Sequence, residues 1–248
     1  MKAAITHLGR TFEVDLREPI DLSIPLSRGN NPVAWHLDTP KIEAVVQDDW
    51  IGSVAQGGDV NFNTITFNPH AHGTHTETVG HITPEAYPIN EHLKQFFFLT
   101  ELITVAPEQR GNDQVISLKQ MEYLLHNKNP EALVIRTIPN TIDKKTCQWS
   151  GTHWPYIEEA VMVRFRESGI KHLLIDLPSV DPKKDEGALK AHRAFWDVDG
   201  HIRLDATITE MIYIPHEVKD GNYLLNLQIA PFDNDAAPSK PVLYAIEA

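Results

Sequence analysis

The pattern of apolar and polar residues predicts short strands at both ends of the chain. Alternating apolar and β-branched residues indicate strands at residues 11–16 and 41–46, with a turn at 30–32 between them. Short apolar runs bounded by Pro, Gly or Asp indicate strands at residues 223–230 and 242–246. We therefore expect both outer thirds of the chain to be rich in β-structure.

Two helices are predicted between these ends. Ser117 and Gln120 have the spacing of a capping box, and the apolar residues that follow fall on one helix face. Pro155 suits the first position of a second helix, and Gly169 is placed to end it. Each helix precedes a short apolar run typical of a buried strand, at residues 133–135 and 172–177.

A helix followed by a buried strand, occurring twice, predicts an α/β protein whose sheet is at least partly parallel. No internal repeat and no low-complexity linker divides the chain. The simplest assembly is a single mixed α/β domain over residues 1–248, with β-rich termini around a central αβ unit.

Charge and composition narrow the classes of function. The chain has 22 Lys and Arg against 34 Asp and Glu, a formal net charge of −12, which argues against nucleic-acid and anionic-membrane partners because phosphate binding needs a basic face. No window approaches the roughly 18 consecutive apolar residues of a membrane span, and no signal-peptide pattern begins the chain. We expect a cytoplasmic protein. Because Cys147 is the only cysteine, any metal would be held by His and carboxylates.

The candidate chemistry is concentrated in residues 68–81, Asn-Pro-His-Ala-His-Gly-Thr-His-Thr-Glu-Thr-Val-Gly-His. Four of the 13 histidines of the chain lie within twelve residues of this segment. They are His70, His72, His75 and His81. Proline, glycines and β-branched residues disfavour a helix here, so the segment is expected to be extended or looped.

An extended segment places alternate side chains on one face, and His75, Glu77 and His81 would share such a face. A bend at Gly73 would bring His70 to the same side. Imidazoles and a carboxylate that converge without a nearby Arg or Lys form a donor set that suits a borderline divalent cation. The sequence therefore predicts a metal site in this segment, and the role of His72 stays open.

The segment from Gly73 to His81 resembles the signature of the cyclase family of metal-dependent hydrolases, which includes bacterial kynurenine formamidase and isatin hydrolase. That signature reads His, any residue, Gly-Thr-His, any residue, an acidic residue, and a His four positions later. The resemblance extends over nearly the whole chain, through residues 21–25, 175–181, 191–193, 208–211 and 231–246. It implies the fold of the family, a mixed α/β domain of the swivelling β/β/α type.

Two residues differ from the signature. Ala71 stands where the family usually has its first His ligand, and His70 lies one residue earlier. We carry that ligand over to His70, with His72 as the competing candidate. Glu77 replaces the more usual Asp, which lengthens the side chain by one methylene.

The resemblance also implies a set of site residues. One or two Zn²⁺ ions, or Mn²⁺, would be bound, with Glu77 shared between two ions and His81 transferring protons. The implied metal ligands are His70, His75, Glu77, His192 and Glu210. A homodimer or tetramer is implied as well.

The two distant ligands can also be considered by themselves. His192 follows an acidic loop and precedes Phe195 and Trp196, which predicts a loop over a site. Glu210 lies in the apolar, β-branched stretch 206–214, where an unpaired carboxylate would be costly to bury. A metal or a salt bridge would remove that cost.

The implied activity is hydrolysis of an amide, lactam or ester bond of a small carbonyl substrate, as in an arylformamidase acting on a C–N bond. Metal-bound water would attack the carbonyl, and His81 would transfer the proton. The absence of a Gly-x-Ser-x-Gly motif makes a covalent serine mechanism less attractive.

Two other functions remain open. His70, His72 and Glu77 also match the metal-binding pattern of cupin oxygenases, although the flanking glycines are missing and two helices fit a small β-barrel badly. A non-catalytic protein that binds a metal or ligand and has lost turnover is the second alternative.

Overall fold

A computed structural model describes residues 1–7 and 9–247 of the chain. The strands are β1 (Lys2–His7), β2 (Arg10–Asp15), β3 (Ile20–Asp21), β4 (Lys41–Ala44), β5 (Val46–Gln47), β6 (Trp50–Ile51), β7 (Asn63–Thr66), β8 (His75–Glu77), β9 (Phe97–Val105), β10 (Glu108–Arg110), β11 (Asp113–Ile116), β12 (Ala132–Thr137), β13 (Tyr156–Ile157), β14 (His172–Ile175), β15 (Thr207–Glu210), β16 (Gly221–Ile229) and β17 (Ala236–Glu247). The α-helices are α1 (Ile89–His92), α2 (Leu118–Leu124), α3 (Glu159–Glu167) and α4 (Lys190–Trp196).

Seven strands close into a barrel-like sheet. Their hydrogen-bonded order is β17, β16, β9, β12, β14, β15 and β8, and β8 pairs with β17 to complete the ring. Strands β9, β12, β14 and β15 run parallel, whereas the other neighbours in the ring are antiparallel. The predicted mixed α/β fold with a parallel centre is confirmed; the closure of the sheet was not predicted.

The central strands are buried on both faces because helices cover one side of the sheet. Along β12, Leu133 and Ile135 join a hydrophobic cluster that includes Phe165 of α3 and Phe195 of α4. The alternate residue Val134 faces a second cluster on the other side of the sheet. This two-sided burial accounts for the uninterrupted apolar runs in the sequence.

One predicted helix is confirmed and the other begins later than expected. At α2, the backbone N–H of Ser117 donates to Gln120 Oε1 at 3.1 Å, and the Ser117 hydroxyl accepts from the backbone N–H of Gln120 at 3.4 Å. The prediction that Pro155 begins the second helix is wrong. Residues 156–157 instead form β13, which pairs in parallel with β11, so α3 begins at Glu159. Gly169, with φ 82°, follows the helix end as expected.

None of the helices in the described part of the chain combines the length and apolar character needed to cross a membrane.

His172, the first residue of β14, is buried at the end of the ring where the parallel strands begin. Its Nδ1 lies 2.9 Å from Thr207 Oγ1, and its ring centroid lies 4.0 Å from that of Phe98. Burial, together with the positive charge of Lys171, lowers the pKa of His172 to about 3. The folded protein therefore keeps this imidazole neutral under conditions where the unfolded chain protonates it.

We expect His172 to make the fold sensitive to acid. Because its pKa is depressed in the folded state, its contribution to stability is complete above the ordinary value of 6.5 and is lost as the pH falls toward about 3. In urea unfolding between pH 6.5 and about 3, the wild type should lose about 1.4 kcal/mol of stability per pH unit more than His172→Gln. Equal losses in the two proteins would contradict this role.

Candidate metal centre

The histidine-rich segment lies at the seam where the ring of strands closes. The three residues of β8 pair with β15 on one side and with β17 on the other. His75 lies opposite Glu210, and Glu77 lies opposite Ala236. The seam therefore brings Glu210 and Asp235, the residue before β17, beside the histidines.

A tight bend precedes β8 and turns His70 toward it. Gly73 has φ 86°, and a Cβ atom there would lie 2.9 Å from the carbonyl oxygen of Ile24, so both the conformation and the space require glycine. Thr74 holds the bend: its hydroxyl donates to the carbonyl of Met211 at 2.6 Å and accepts from the backbone N–H of Ile24 at 2.8 Å. The predicted bend at Gly73 is confirmed.

Glu77 is fully buried at the centre of the cluster. Its Oε2 accepts from His70 Nδ1 at 2.9 Å, and its Oε1 accepts from His192 Nε2 at 3.2 Å. The Nε2 atom of His81 lies 3.9 Å from Oε2. Burial by itself would raise the pKa of Glu77, but the positive charge of His81 and the hydrogen bonds from His192 and His70 hold it well below its usual range.

An aspartate lies on the outer side of each imidazole that contacts Glu77. Asp235 Oδ2 accepts from His70 Nε2 at 2.7 Å, and Asp181 Oδ2 accepts from His192 Nδ1 at 2.5 Å. Burial alone would lower the pKa of both histidines, but these hydrogen bonds and those to Glu77 raise each to about 10. The two imidazoles in turn keep the carboxyl pKa of Asp181 and Asp235 below the usual value.

Sequence reasoning missed both aspartates as site residues. Asp181 belongs to the acidic loop before His192, and that proximity was the available signal. Asp235 is 165 residues from His70 and lies in a short loop with Asp233. Nothing local in the sequence distinguishes it.

His75 holds a nitrogen lone pair in a buried position. Its Nδ1–H donates to the carbonyl of Gly73 at 3.1 Å, so in the neutral ring the lone pair is on Nε2. That Nε2 is buried and has no hydrogen-bond partner among the described residues. It lies 3.5 Å from Glu210 Oε2, while Glu210 Oε1 accepts from the backbone N–H of Val180 at 3.0 Å. A buried unpaired acceptor of this kind is costly unless a cation binds it.

His70 belongs to the cluster and His72 does not. The backbone N–H of Asn68 donates to His72 Nδ1 at 2.8 Å, and His72 Nε2 donates to the carbonyl of Asp38 at 2.8 Å. Both ring nitrogens therefore stabilise the surrounding loops. Burial lowers the pKa of His72, which favours the neutral tautomer that these two bonds require.

His81 reaches the cluster from a different element than expected. It does not extend β8; it lies in the 3-10 turn Val79–His81 that follows. Its ring stacks on that of His70 with centroids 4.1 Å apart, and its Nδ1 is 3.6 Å from Asp235 Oδ2. The His81 side chain is 32% exposed, more than those of His70 and Asp235, so His81 is the member of the cluster most accessible to solvent.

His192 also lies in a helix, and the expected covering loop is wrong. Asp181 Oδ1 accepts from the backbone N–H of Ala191, which anchors the start of α4 and points His192 into the cluster. Phe195 and Trp196 are fully buried in the core. The helix forms because these aromatic side chains pack against α3 and the sheet.

The residues present fit a divalent metal. All six residues named from the sequence converge, and the ligand atoms of His70, His75 and Glu77 lie within 4.8 Å of one another, as do those of Glu77, His81 and His192. Among the described residues, no Lys or Arg is hydrogen-bonded or ion-paired to the cluster carboxylates. Imidazole and carboxylate donors in this proportion suit Zn²⁺ or a similar ion.

A family model described as "Putative cyclase" matches residues 20–182, more than half of the chain. A kynurenine formamidase of Bacillus cereus is 29% identical over 233 residues, which cover 92% of this chain and 98% of the relative. A kynurenine formamidase of Bacillus thuringiensis is 30% identical over 234 residues, with the same coverage.

Solved structures share the fold. Isatin hydrolase A from Labrenzia aggregata superposes with a TM-score of 0.67 at 14% identity, covering 93% of this chain and 94% of that one. A protein from Bacillus stearothermophilus, described as a predicted metal-dependent hydrolase, gives a TM-score of 0.63 at 16% identity, covering 92% and 98% of the two chains. At these identities the likeness concerns the fold.

We expect His75→Ala to lose bound metal, because it removes the buried lone pair. His72→Ala is the matched control from the same segment: it should keep the metal and lose about 1–3 kcal/mol of stability, since two partly buried hydrogen bonds are broken. Elemental mass spectrometry on protein purified without chelator or nickel resin measures the metal, and urea unfolding measures the stability. Equal metal content in wild type and His75→Ala would rule out this centre.

Proposed function

The chain belongs to the cyclase family, and from this membership together with the geometry of the cluster we propose that the protein is a metal-dependent hydrolase acting on C–N bonds. The observation that carries the metal part of the proposal is His75 Nε2, a buried lone pair with no partner among the described residues, facing Glu210 at 3.5 Å. A buried acceptor beside a carboxylate is a place for a cation.

The proposed ligands divide into two groups that share Glu77. His70, His75 and Glu77 would hold one ion, and His192 and Glu210 would join Glu77 at a second. We propose Zn²⁺, with Mn²⁺ compatible with the same donors. When bound, such an ion lowers the pKa of its water to about 7 and polarises a substrate carbonyl.

In this proposal His81 transfers the protons. Its Nε2 faces Glu77 at 3.9 Å, and its side chain is the most solvent-accessible member of the cluster. In the proposed reaction this nitrogen accepts a proton from the attacking water and returns it to the departing nitrogen of the substrate. The stacked ring of His70 holds the His81 ring in place.

The proposed substrate class is a small amide or lactam carried on an aromatic ring, as in an arylformamidase. The names of the similar proteins support this class, since they describe kynurenine formamidases and isatin hydrolases. Trp35 supports it too: this side chain is 42% exposed and lies edge-on to Trp154, whose indole N–H donates to the carbonyl of Asp181. Trp154 thus links the exposed ring of Trp35 to the backbone of Asp181, which holds His192.

The proposal also includes the domain organisation, cellular location, partner and assembly of the protein. They are a single domain over residues 1–248 with a swivelling β/β/α arrangement, a cytoplasmic location, a small molecule as the partner, and assembly into a homodimer or tetramer. The cupin alternative is wrong, because the chain belongs to the cyclase family and its ring contains four parallel strands.

We expect His81→Ala to reduce kcat by about 10²- to 10⁴-fold, because it removes the proton-transferring group. Its metal content should stay that of the wild type, because His70, His75 and Glu77 are untouched. The assay measures hydrolysis of N-formylated aromatic amines and of isatin. His201→Ala, an exposed histidine outside the cluster, is the matched control and should retain activity.

Two results would contradict the proposal in different ways. Unchanged turnover in His81→Ala would remove His81 from the mechanism. A fully metal-loaded wild type that hydrolyses none of these amides or lactams would favour a protein that binds metal or ligand without turnover.

A further inference from the structure

Five side chains form a nearly symmetrical row through the cluster. Glu77 lies in the middle, with His70 and His192 on either side of it and an aspartate beyond each imidazole. The successive distances from Asp181 to Asp235 are 2.5, 3.2, 2.9 and 2.7 Å. Each imidazole thus places one nitrogen toward Glu77 and the other on an outer carboxylate.

The two outer aspartates differ in what else they hold. Asp181 accepts from the backbone N–H groups of Ala191 and His192, so it also stabilises the start of α4. Among the described residues, the side-chain carboxylate of Asp235 contacts imidazoles instead, at His70 and, more distantly, His81. Among the described residues, its carboxylate accepts no hydrogen bond from a backbone N–H group, unlike that of Asp181.

The backbone around Asp235 is well placed for this contact. Its carbonyl accepts from the backbone N–H of Thr78 at 3.0 Å, which ties it to the end of β8. The two segments approach closely here, because a Cβ added at Gly80 would lie 3.1 Å from Asp235 Cβ. The ring closure therefore fixes the backbone of Asp235 relative to the segment that carries the histidines.

His70 needs such an anchor more than its neighbours do. It lies in the bend before β8, outside the strand pairing that holds His75 and Glu77. A ligating imidazole is oriented, and made more basic, by a carboxylate on its other nitrogen. Asp235 is the carboxylate on Nε2, while Nδ1 faces Glu77.

We infer that Asp235 is a positioning residue that orients His70 as a metal ligand. The inference rests on the proposed metal-dependent function and extends it to a residue that the signature of the family does not contain. It is distinct from two other roles: direct metal ligation by Asp235, and an action confined to His81.

The test is the affinity of the full chain for Zn²⁺, measured by competition with a chromophoric chelator. Asp235→Asn keeps the size of the side chain and removes the charge, and it should weaken binding by about 10- to 100-fold. The visible spectrum of the Co²⁺-loaded protein should change as well, because His70 no longer has a fixed orientation. Asp233→Asn, an exposed neighbour in the same loop, should match the wild type.

A double-mutant cycle separates orientation of His70 from the other roles. In a His70→Ala background, Asp235→Asn should cause no further loss of affinity, because the residue through which it acts is gone. If the fold-losses of Zn²⁺ affinity in the two single variants multiply in the double variant, the inference is overturned and direct ligation by Asp235 is indicated. Wild-type affinity in Asp235→Asn would also overturn it, leaving at most a role through His81.

Folding and the parent proposal are checked separately. Thermal unfolding of the metal-free proteins shows whether Asp235→Asn is folded, and Asp235→Ala repeats the measurement if it is not. If the wild type binds Zn²⁺ and His75→Ala does not, but Asp235→Asn equals the wild type, only the role of Asp235 fails. If the wild type binds no Zn²⁺, the proposed function fails with it.

Discussion

The burial of the Glu77 carboxylate is the constraint on which the rest of the site depends. A fully buried charge costs several kcal/mol unless hydrogen bonds or opposite charges compensate for it. His70 and His192 provide that compensation, and each of them is in turn held by an aspartate. Removing any member of this row leaves a neighbour with an unpaired polar group in the protein interior. The five side chains therefore form a network in which each member depends on its neighbours for its hydrogen bonds.

Closure of the ring of strands brings the acidic side chains of the site together. Strand β8 has three residues, yet it joins β15 to β17 and so completes the sheet. Glu210 arrives at the carboxyl end of β15, Asp181 follows the neighbouring parallel strand β14, and Asp235 arrives at the start of β17. A sheet without this seam would leave Asp235 on one edge, away from Glu210 and Asp181, which the pairing of β14 with β15 keeps together. The same pairing that satisfies the backbone groups of β8 thus assembles the candidate metal centre.

The two differences from the family signature meet in one hydrogen bond, between His70 and Glu77. Ala71 occupies the usual ligand position, and the displaced His70 is one residue farther from β8. The longer side chain of Glu77 reaches it, and the His70 Nδ1 to Glu77 Oε2 distance is 2.9 Å. A shorter acid would need the histidine closer, and a closer histidine would crowd the longer acid. In this chain the His70 imidazole and the longer Glu77 side chain meet at hydrogen-bond distance, so the altered motif still forms a compact donor cluster.

The sequence by itself determined the features that depend on local pattern: the capping box at Ser117, the parallel centre, and the concentration of imidazoles around Glu77. It also reached His192 and Glu210, through resemblance to a family. Tertiary structure alone decided that α3 begins at Glu159, that His70 and not His72 joins the cluster, and that Asp235 belongs to it. The pairing of β13 with β11 prevents a helix from beginning at Pro155. The left-handed bend at Gly73 changes the alternation of side chains, so that His70 joins the cluster. No local periodicity encodes the contact of Asp235 with His70, 165 residues away.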